Sequence, residues 1–185
     1  MRRIMAAGLM LKTARLILRR WRAEDREPFA RLNGDPVVMR YFVATLTREE
    51  SDAMADRIAR HFDDHGFGLW AVEAPGVAPF IGFVGLSVPS FEAHFMPAVE
   101  VGWRLDQPYW GFGYATEAAR ATLADGFGRA GLREIVSFTA PANRPSIRVM
   151  ERIGMTHDPA DDFDHPRLPE GHPLRRHVLY RAFAP

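Results

Sequence analysis

Residues whose types suit chemistry lie close together in the stretch VEVGWRLDQPYWGFGYATE, residues 99–117. Glu100 is a carboxylate in an otherwise apolar strand pattern, and Gly111 and Gly113 follow it within the same stretch. Glycine permits a sharp turn, and the helix pattern that comes next leaves unpaired N–H groups at its start, an arrangement that binds phosphate. A candidate base beside a phosphate loop indicates group transfer from a nucleotide-bearing donor.

Composition narrows the classes of chemistry. The 185 residues include no cysteine, and 24 Lys+Arg against 23 Asp+Glu give a net charge of +1. The missing cysteines exclude thiol nucleophiles and thiolate metal sites. Lys12 is the only lysine, which disfavours a GxxxxGK[ST] phosphate loop and a Schiff base. The balanced charge predicts neither a nucleic-acid nor a membrane partner, so a small molecule or a peptide is expected.

The length fits one domain. We interpret residues 1–12 as a flexible leader, with Met10 as an alternative start, and residues 13–185 as a single domain. The opening apolar run is too short for a convincing signal peptide, and no segment approaches the ~20 apolar residues of a membrane span. A cytoplasmic location is therefore expected.

Periodicity and turn residues predict the order β-α-α-β-β-β-α-β-α, with one or two further strands. Thr47 and Glu50 form a capping box at the start of the second helix, and Gly154 would cap the last. The predicted strands are residues 13–21, 67–73, 80–88, 99–105, 134–140 and 175–183, and the predicted helices are residues 23–32, 47–64, 115–129 and 143–153. Short connections favour antiparallel neighbours, whereas the β-α-β unit at 99–140 should pair its strands in parallel.

A second motif makes the glycine loop more specific. NRPSIRVMERIGM, residues 143–155, matches the pattern NxxSxRVMERxGM, and WGFGYATEA begins at Trp110. The two motifs, in this element order, resemble the GNAT superfamily of acyl-CoA-dependent N-acyltransferases and, more closely, its RimJ/RimL-like branch. Trp110 stands where the family usually has Arg or Gln. The resemblance implies an α+β fold, with a mixed, predominantly antiparallel sheet flanked by helices on both faces.

The resemblance also implies the ligands. Acetyl-CoA would be the acyl donor and a primary amine, on a small molecule or a peptide N-terminus, the acceptor; no metal is implied, and the protein would be a monomer or a homodimer. Backbone groups of Trp103 and Leu105 would pair with the pantetheine arm as an added strand. The residues expected to bind acetyl-CoA are Trp103, Leu105, Trp110, Gly111, Phe112, Gly113, Tyr114, Ala115, Thr116, Asn143 and Ser146.

Attack of an amine on a thioester needs a base, since a lysine-type amine has a pKa of ~10.4. Glu100 is the candidate base, because burial would raise its pKa. A backbone N–H near 101–103 would stabilise the oxyanion, and Ser146 or water would protonate the thiolate. Without cysteine, direct transfer in a ternary complex is favoured over an acyl-enzyme. Two alternatives stay open: Glu100 faces solvent or pairs with Arg104, and Ser146 only caps its helix.

The polar segment HDPADDFDHPRLPEGH, residues 157–172, contains three histidines and four aspartates. Its spacing fits no standard metal site, so a solvated loop is favoured. By resemblance, the segment would lie near the acceptor groove, with His165, Glu170 and His172 as substrate contacts. Aromatic side chains that would line the groove, or else belong to the core, are Trp70, Phe91, Phe95 and Trp103.

Two rival functions come from other classes. A dinucleotide-binding oxidoreductase would use Gly111-x-Gly113, but Thr116 replaces its third glycine, and Glu134 opens its strand instead of ending it. A sensor module would bind acyl-CoA without turnover. Only a test of chemistry, such as Glu100→Gln, separates the sensor from an enzyme.

Overall fold

The computed structural model describes residues 10–185, which form a nine-stranded mixed sheet with four α-helices. The strands are β1 (Met10–Lys12), β2 (Ile17–Arg19), β3 (Leu69–Ala74), β4 (Ala78–Ser87), β5 (Glu100–Leu105), β6 (Glu134–Thr139), β7 (Thr156–His157), β8 (Phe163–Asp164) and β9 (Arg176–Phe183). The helices are α1 (Arg26–Gly34), α2 (Arg48–His65), α3 (Tyr114–Gly128) and α4 (Arg144–Arg152). The order in the sheet is β1-β2-β3-β4-β5-β6-β9-β7, with β8 also paired to β9.

Local signals set the ends of α2 and α4. The Thr47 hydroxyl accepts from the Glu50 amide at 3.2 Å, and the Glu50 carboxylate accepts from the Thr47 amide at 2.8 Å, which confirms the capping box. The α4 helix begins after Asn143, whose side-chain oxygen accepts from the Ser146 amide. Its C-cap is Ile153, one residue earlier than predicted; Gly154 follows with φ 86°.

Strand β4 lies at the centre of the core. Its seven consecutive residues Phe80–Leu86 are all buried. A strand buried without alternation is covered on both faces of the sheet. This agrees with helices on both faces, and the predicted fold class is confirmed.

Strands β5 and β6 are parallel, as predicted, but they stay together only briefly. Their one paired position is Glu100 with Val136, and the Val136 amide donates to the Val99 carbonyl at 2.9 Å. Beyond this position, the edge of β5 that faces β6 has no strand partner among residues 10–185. An open seam therefore runs along β5 from Glu100 towards Leu105.

Several boundaries differ from the sequence-based prediction. Residues 10–12 of the predicted leader form β1, while residues 1–9 lie outside the described part of the chain. The first predicted strand shrinks to Ile17–Arg19, because the Thr13 hydroxyl accepts from the Leu16 amide at 2.9 Å and holds a turn. The segment 157–172, predicted to be a solvated loop, contains the two-residue strand β8. Among residues 10–185, no helix combines the length and apolar character that crossing a membrane requires.

Candidate active site

The glycine loop leads from β5 into α3. Gly111 and Gly113 have φ values of 83° and 80°, a conformation that residues with a side chain rarely adopt. Gly113 is the N-cap of α3, so the first-turn amides of that helix start at the loop. Arg15 anchors the loop from outside, because its Nη1 donates to the Phe112 carbonyl at 2.9 Å.

A cavity of about 300 Å³, here called the loop cavity, opens beside these amides. Ten of the eleven predicted acetyl-CoA contacts line it: Trp103, Leu105, Trp110, Gly111, Gly113, Tyr114, Ala115, Thr116, Asn143 and Ser146. Phe112 does not; its side chain is 60% exposed. The loop turns the Phe112 side chain outward and stacks its ring near that of Tyr114.

Four arginines that the sequence prediction did not place there also line the loop cavity: Arg40, Arg104, Arg148 and Arg152. None has a carboxylate within 4 Å among residues 10–185, so their charges face the cavity without an acidic partner. Arg148 and Arg152 are four residues apart on α4 and therefore share one face of it. Unpaired cations beside a helix N-terminus suit a diphosphate.

The open edge of β5 borders the same cavity. In an antiparallel pair, alternate residues direct their backbone groups to the same neighbour. The Asp106 amide donates to Ile81 on β4 and Val99 accepts from Val136 on β6, so Trp103 and Leu105 direct their backbone groups into the seam. The Leu105 carbonyl, however, already accepts from Trp110 Nε1 at 2.7 Å. Of the two backbone groups of Leu105, the N–H is therefore the one left without a partner among residues 10–185 and open to an added strand. The predicted pairing of Leu105 with the pantetheine arm is reduced to this group, while that of Trp103 is unaffected.

Ser146 lies where two cavities meet. Its Oγ accepts from Trp103 Nε1 at 3.3 Å and from Asn143 Nδ2 at 3.1 Å. Asn143 Nδ2 also donates to Thr139 Oγ1 at 2.9 Å, which ties the start of α4 to the end of β6. With two donors directed at its lone pairs, the Ser146 hydroxyl has its own proton free to donate.

The second cavity, of about 460 Å³, is here called the Glu100 cavity because Glu100 lines it and not the loop cavity. Six residues line both cavities: Tyr41, Phe42, Trp103, Arg104, Asn143 and Ser146. Burial raises the pKa of Glu100 to about 8. The side chain makes no hydrogen bond or ion pair among residues 10–185, so no cation offsets this effect.

The alternative in which Glu100 pairs with Arg104 is not what the structure has. Arg104 Nη1 donates instead to Asn33 Oδ1. Its guanidinium lies over the rings of Phe42 and Phe83, at 4.1 and 5.3 Å from their centroids. Glu100 and Arg104 nevertheless line the same cavity.

The predicted acceptor contacts divide into two groups. His165 and Trp103 line the Glu100 cavity, as does His177, which the sequence prediction missed. Glu170 and His172 do not line it. Trp70 is 1% exposed and packs on Phe62, while Phe91 and Phe95 belong to a separate aromatic cluster, so all three have the core role.

The His/Asp-rich segment makes internal contacts. His157 lies 2.7 Å from an Asp162 carboxylate oxygen, and Asp161 accepts from Arg181 Nε at 2.7 Å. Within the described part of the chain, no three His, Asp or Glu residues come close enough to hold a metal ion.

A family model settles what kind of domain carries this site. Residues 15–156 match the acetyltransferase (GNAT) domain. The chain belongs to the GNAT family. This GNAT protein is 32% identical over 152 residues to YkkB, an uncharacterized protein of Bacillus subtilis (strain 168), covering 82% of this chain and 87% of that one. It is 34% identical over 154 residues to the FsC-acetyl coenzyme A-N(2)-transacetylase of Aspergillus fumigatus, covering 80% of this chain and 65% of the fungal protein.

Solved structures agree with this assignment. A GNAT-family acetyltransferase from Bacillus anthracis superposes with a TM-score of 0.78 at 26% identity, covering 95% of this chain and 99% of that one. RimL, a ribosomal L7/L12 α-N-protein acetyltransferase in complex with coenzyme A, shares the fold with a TM-score of 0.75 at 15% identity, covering 95% and 98%. The GNAT protein is an acyl-CoA-dependent N-acyltransferase.

Proposed function

We propose that the enzyme transfers an acetyl group from acetyl-CoA directly to a primary amine in a ternary complex. The loop cavity takes the donor and the Glu100 cavity takes the amine. Glu100 accepts the proton that the amine loses as the C–N bond forms. Ser146 donates a proton to the sulfur as the C–S bond breaks.

The observation that carries this proposal is the way the cavities share their walls. Ser146 and Trp103 line both cavities, whereas Glu100 lines only the second. A candidate acid therefore stands at the junction and a candidate base on the amine side. Such an arrangement permits direct transfer, and no cysteine is present to form an acyl-enzyme.

The loop cavity has the chemistry that a CoA diphosphate needs. It combines the first-turn amides of α3 with Arg40, Arg148 and Arg152, none of which has a carboxylate within 4 Å in the described part of the chain. Bound acetyl-CoA supplies the activated thioester, and the residues around it position that group. Trp103 and Asn143 hold the Ser146 hydroxyl in place.

Burial suits Glu100 to the role of base. A carboxylate with an ordinary pKa would take a proton poorly from an amine whose pKa is ~8 to ~10.4. The pKa of Glu100 is raised to about 8, which brings it nearer to the pKa of the amine and makes the proton transfer more favourable. Because the base must be ionised, activity should rise with pH and level off above about 8.

The test measures CoA release for the wild type and for Glu100→Gln. We expect Glu100→Gln to lower kcat/KM by about 10²–10⁴-fold, as the loss of a general base does, and to abolish the rise in activity towards pH 8. The acceptors are a panel of amines and short peptides with free N-termini. Acetyl-CoA at ~100 times its Kd should still stabilise the variant by ~2.7 kcal/mol in thermal unfolding.

Glu49→Gln is the matched control, because Glu49 is exposed on α2 and lines neither cavity. Full activity in Glu100→Gln would remove Glu100 from the chemistry. Binding of acetyl-CoA without CoA release from any acceptor would favour the sensor function instead. Ser146→Ala in the same assay distinguishes the serine from water as the proton donor, since water would leave the rate unchanged.

A further inference from the structure

Arg104 is a buried cation that the protein leaves without a counter-charge. The residue is 9% exposed, and no carboxylate lies within 4 Å of it among residues 10–185. Of its five N–H donors, one is used, from Nη1 to Asn33 Oδ1. Nε is buried without a hydrogen-bond partner. The rings of Phe42 and Phe83 contact the guanidinium faces and leave its edge donors unfilled.

The other charges around the Glu100 cavity do not compensate Arg104. Of the residues that the structure describes, Glu100 is the only carboxylate that lines this cavity, and Arg167 adds a second arginine. Burial lowers the pKa of both His165 and His177, so they are mainly neutral at neutral pH. Burial also lowers the pKa of Arg104 to about 10, which still leaves it charged. The cavity therefore carries more positive than negative charge.

The backbone places Glu100 and Arg104 on one wall. They are four residues apart on β5, so both side chains point to the same face, with Cα atoms about 13 Å apart. Gly102 lies between them, and a Cβ added there would meet only Glu100 Oε1, at 3.7 Å. The space between the proposed base and the arginine is open. One ligand can reach both.

We propose that the amine acceptor carries an anionic group, a carboxylate or a phosphate-like group, which Arg104 binds while the amine lies at Glu100. This inference rests on the proposed function and names the class of its acceptor. A charge-assisted hydrogen bond from a guanidinium to an oxyanion is the contact that the unfilled donors of Arg104 lack. Polyamines and aminoglycosides are excluded as preferred acceptors, because their several cations would face one carboxylate and two arginines.

The test compares acceptors that differ only in the anionic group. The probes are ω-amino carboxylates from 4-aminobutanoate to 6-aminohexanoate, their carboxamides, and the aminoalkyl phosphonates of equal length. CoA release gives kcat/KM for each, and thermal shifts of the CoA-loaded protein measure binding of the same probes independently of turnover. We expect an anionic probe to exceed its carboxamide by about tenfold or more, and the larger preference identifies the anion.

Arg104→Gln should reduce that preference towards one, and Arg104→Lys should retain part of it. Arg57→Gln is the matched control, since Arg57 is exposed on α2 and lines neither cavity. The wild-type preference is measured without any variant, so a variant that fails to fold leaves the test intact. A preference near one in both turnover and binding overturns the inference. So does an Arg104→Gln variant that weakens acetyl-CoA binding and leaves the preference unaltered.

The two proposals fail in different ways. Anion-selective binding that depends on Arg104, without CoA release, would support the acceptor class and overturn the catalytic proposal. CoA release that favours carboxamides or polyamines would support the catalytic proposal and overturn the acceptor class.

Discussion

Within residues 10–185, two arginines lie buried, in opposite chemical circumstances. Arg19 on β2 is 4% exposed, and Arg104 on β5 is 9% exposed. All five N–H donors of Arg19 have acceptors: two oxygens of Asp25 at 2.7 and 2.9 Å, Glu73 at 2.9 Å, and the carbonyls of Arg20 and Pro79 at 3.2 and 2.7 Å. Arg104 donates once, to a neutral amide.

The pKa values of the two guanidinium groups shift in opposite directions. The hydrogen bond to Asp25 raises the pKa of Arg19, whereas burial lowers that of Arg104 to about 10. A buried cation with its partners supplied by the fold is part of the architecture. A buried cation that the fold leaves unpaired beside a cavity can instead be paired by a bound ligand. The difference separates an arginine that holds the protein together from one that we assign to a ligand.

Asp25→Asn is expected to have the largest effect, because it removes the more deeply buried of the two carboxylates that pair with Arg19. Breaking a buried ion pair costs about 3–5 kcal/mol of unfolding free energy, since the remaining charge stays buried. Urea denaturation measures the loss. The control is Asp64→Asn, which changes an exposed residue of α2 and should stay within about 0.5 kcal/mol. A similarly small change in Asp25→Asn would contradict an architectural role for Arg19.

Glu100 is another ionisable group of the Glu100 cavity that lacks a charged partner among residues 10–185, and Glu100→Gln tests it through the pH dependence of stability. The native carboxyl keeps its proton up to a pKa of about 8, whereas the unfolded one loses it near 4.5. Between these values the unfolded chain binds fewer protons, so wild-type stability falls as pH rises. Glutamine cannot ionise. From pH 5 to pH 9, Glu100→Gln should therefore gain stability relative to wild type, on the order of 2 kcal/mol. This is less than the full pKa shift would give, because Glu100 is partly exposed and solvent screens its charge.

Denaturant melts of both proteins at the two pH values give this difference directly. Parallel pH profiles for wild type and variant would mean that Glu100 ionises normally in the native state. That result would also weaken its assignment as a base with a raised pKa.

Arg104→Met should have the smallest effect, with unfolding free energy changed by no more than about 1 kcal/mol. The variant loses one hydrogen bond and two ring contacts, but it also removes a buried cation that has no counter-ion. Urea denaturation beside Asp25→Asn makes the comparison. A loss as large as that of Asp25→Asn would place Arg104 with Arg19 among the architectural residues.

Much of this site could be predicted from the sequence because its signals are local. Gly111 and Gly113 need a positive φ, Thr47 and Glu50 cap a helix, and Asn143 to Met155 form a continuous motif. Each depends on neighbours within a few residues. Those features predicted the phosphate loop and the starts of two helices.

The missed residues depend on contacts between distant segments. Arg40 joins the loop cavity from the α1–α2 connection, and His177 reaches the Glu100 cavity from β9. The hydrogen bond from Trp110 Nε1 to the Leu105 carbonyl depends on how the loop folds back on β5. The isolation of Arg104 is the clearest case, because a missing partner leaves no mark in the sequence. Only the packing shows that its nearest groups are Asn33 and two aromatic rings.

The single paired position between β5 and β6 has a mechanical consequence. The sheet consists of a five-stranded part, β1 to β5, and a four-stranded part, β6 to β9, joined in backbone pairing at Glu100 and Val136. Among residues 10–185, ladder hydrogen bonds therefore hold the two parts together beside Glu100 and not along the seam towards Leu105. The proposed base thus lies at the one place where the backbone of the sheet itself sets the spacing between the two parts.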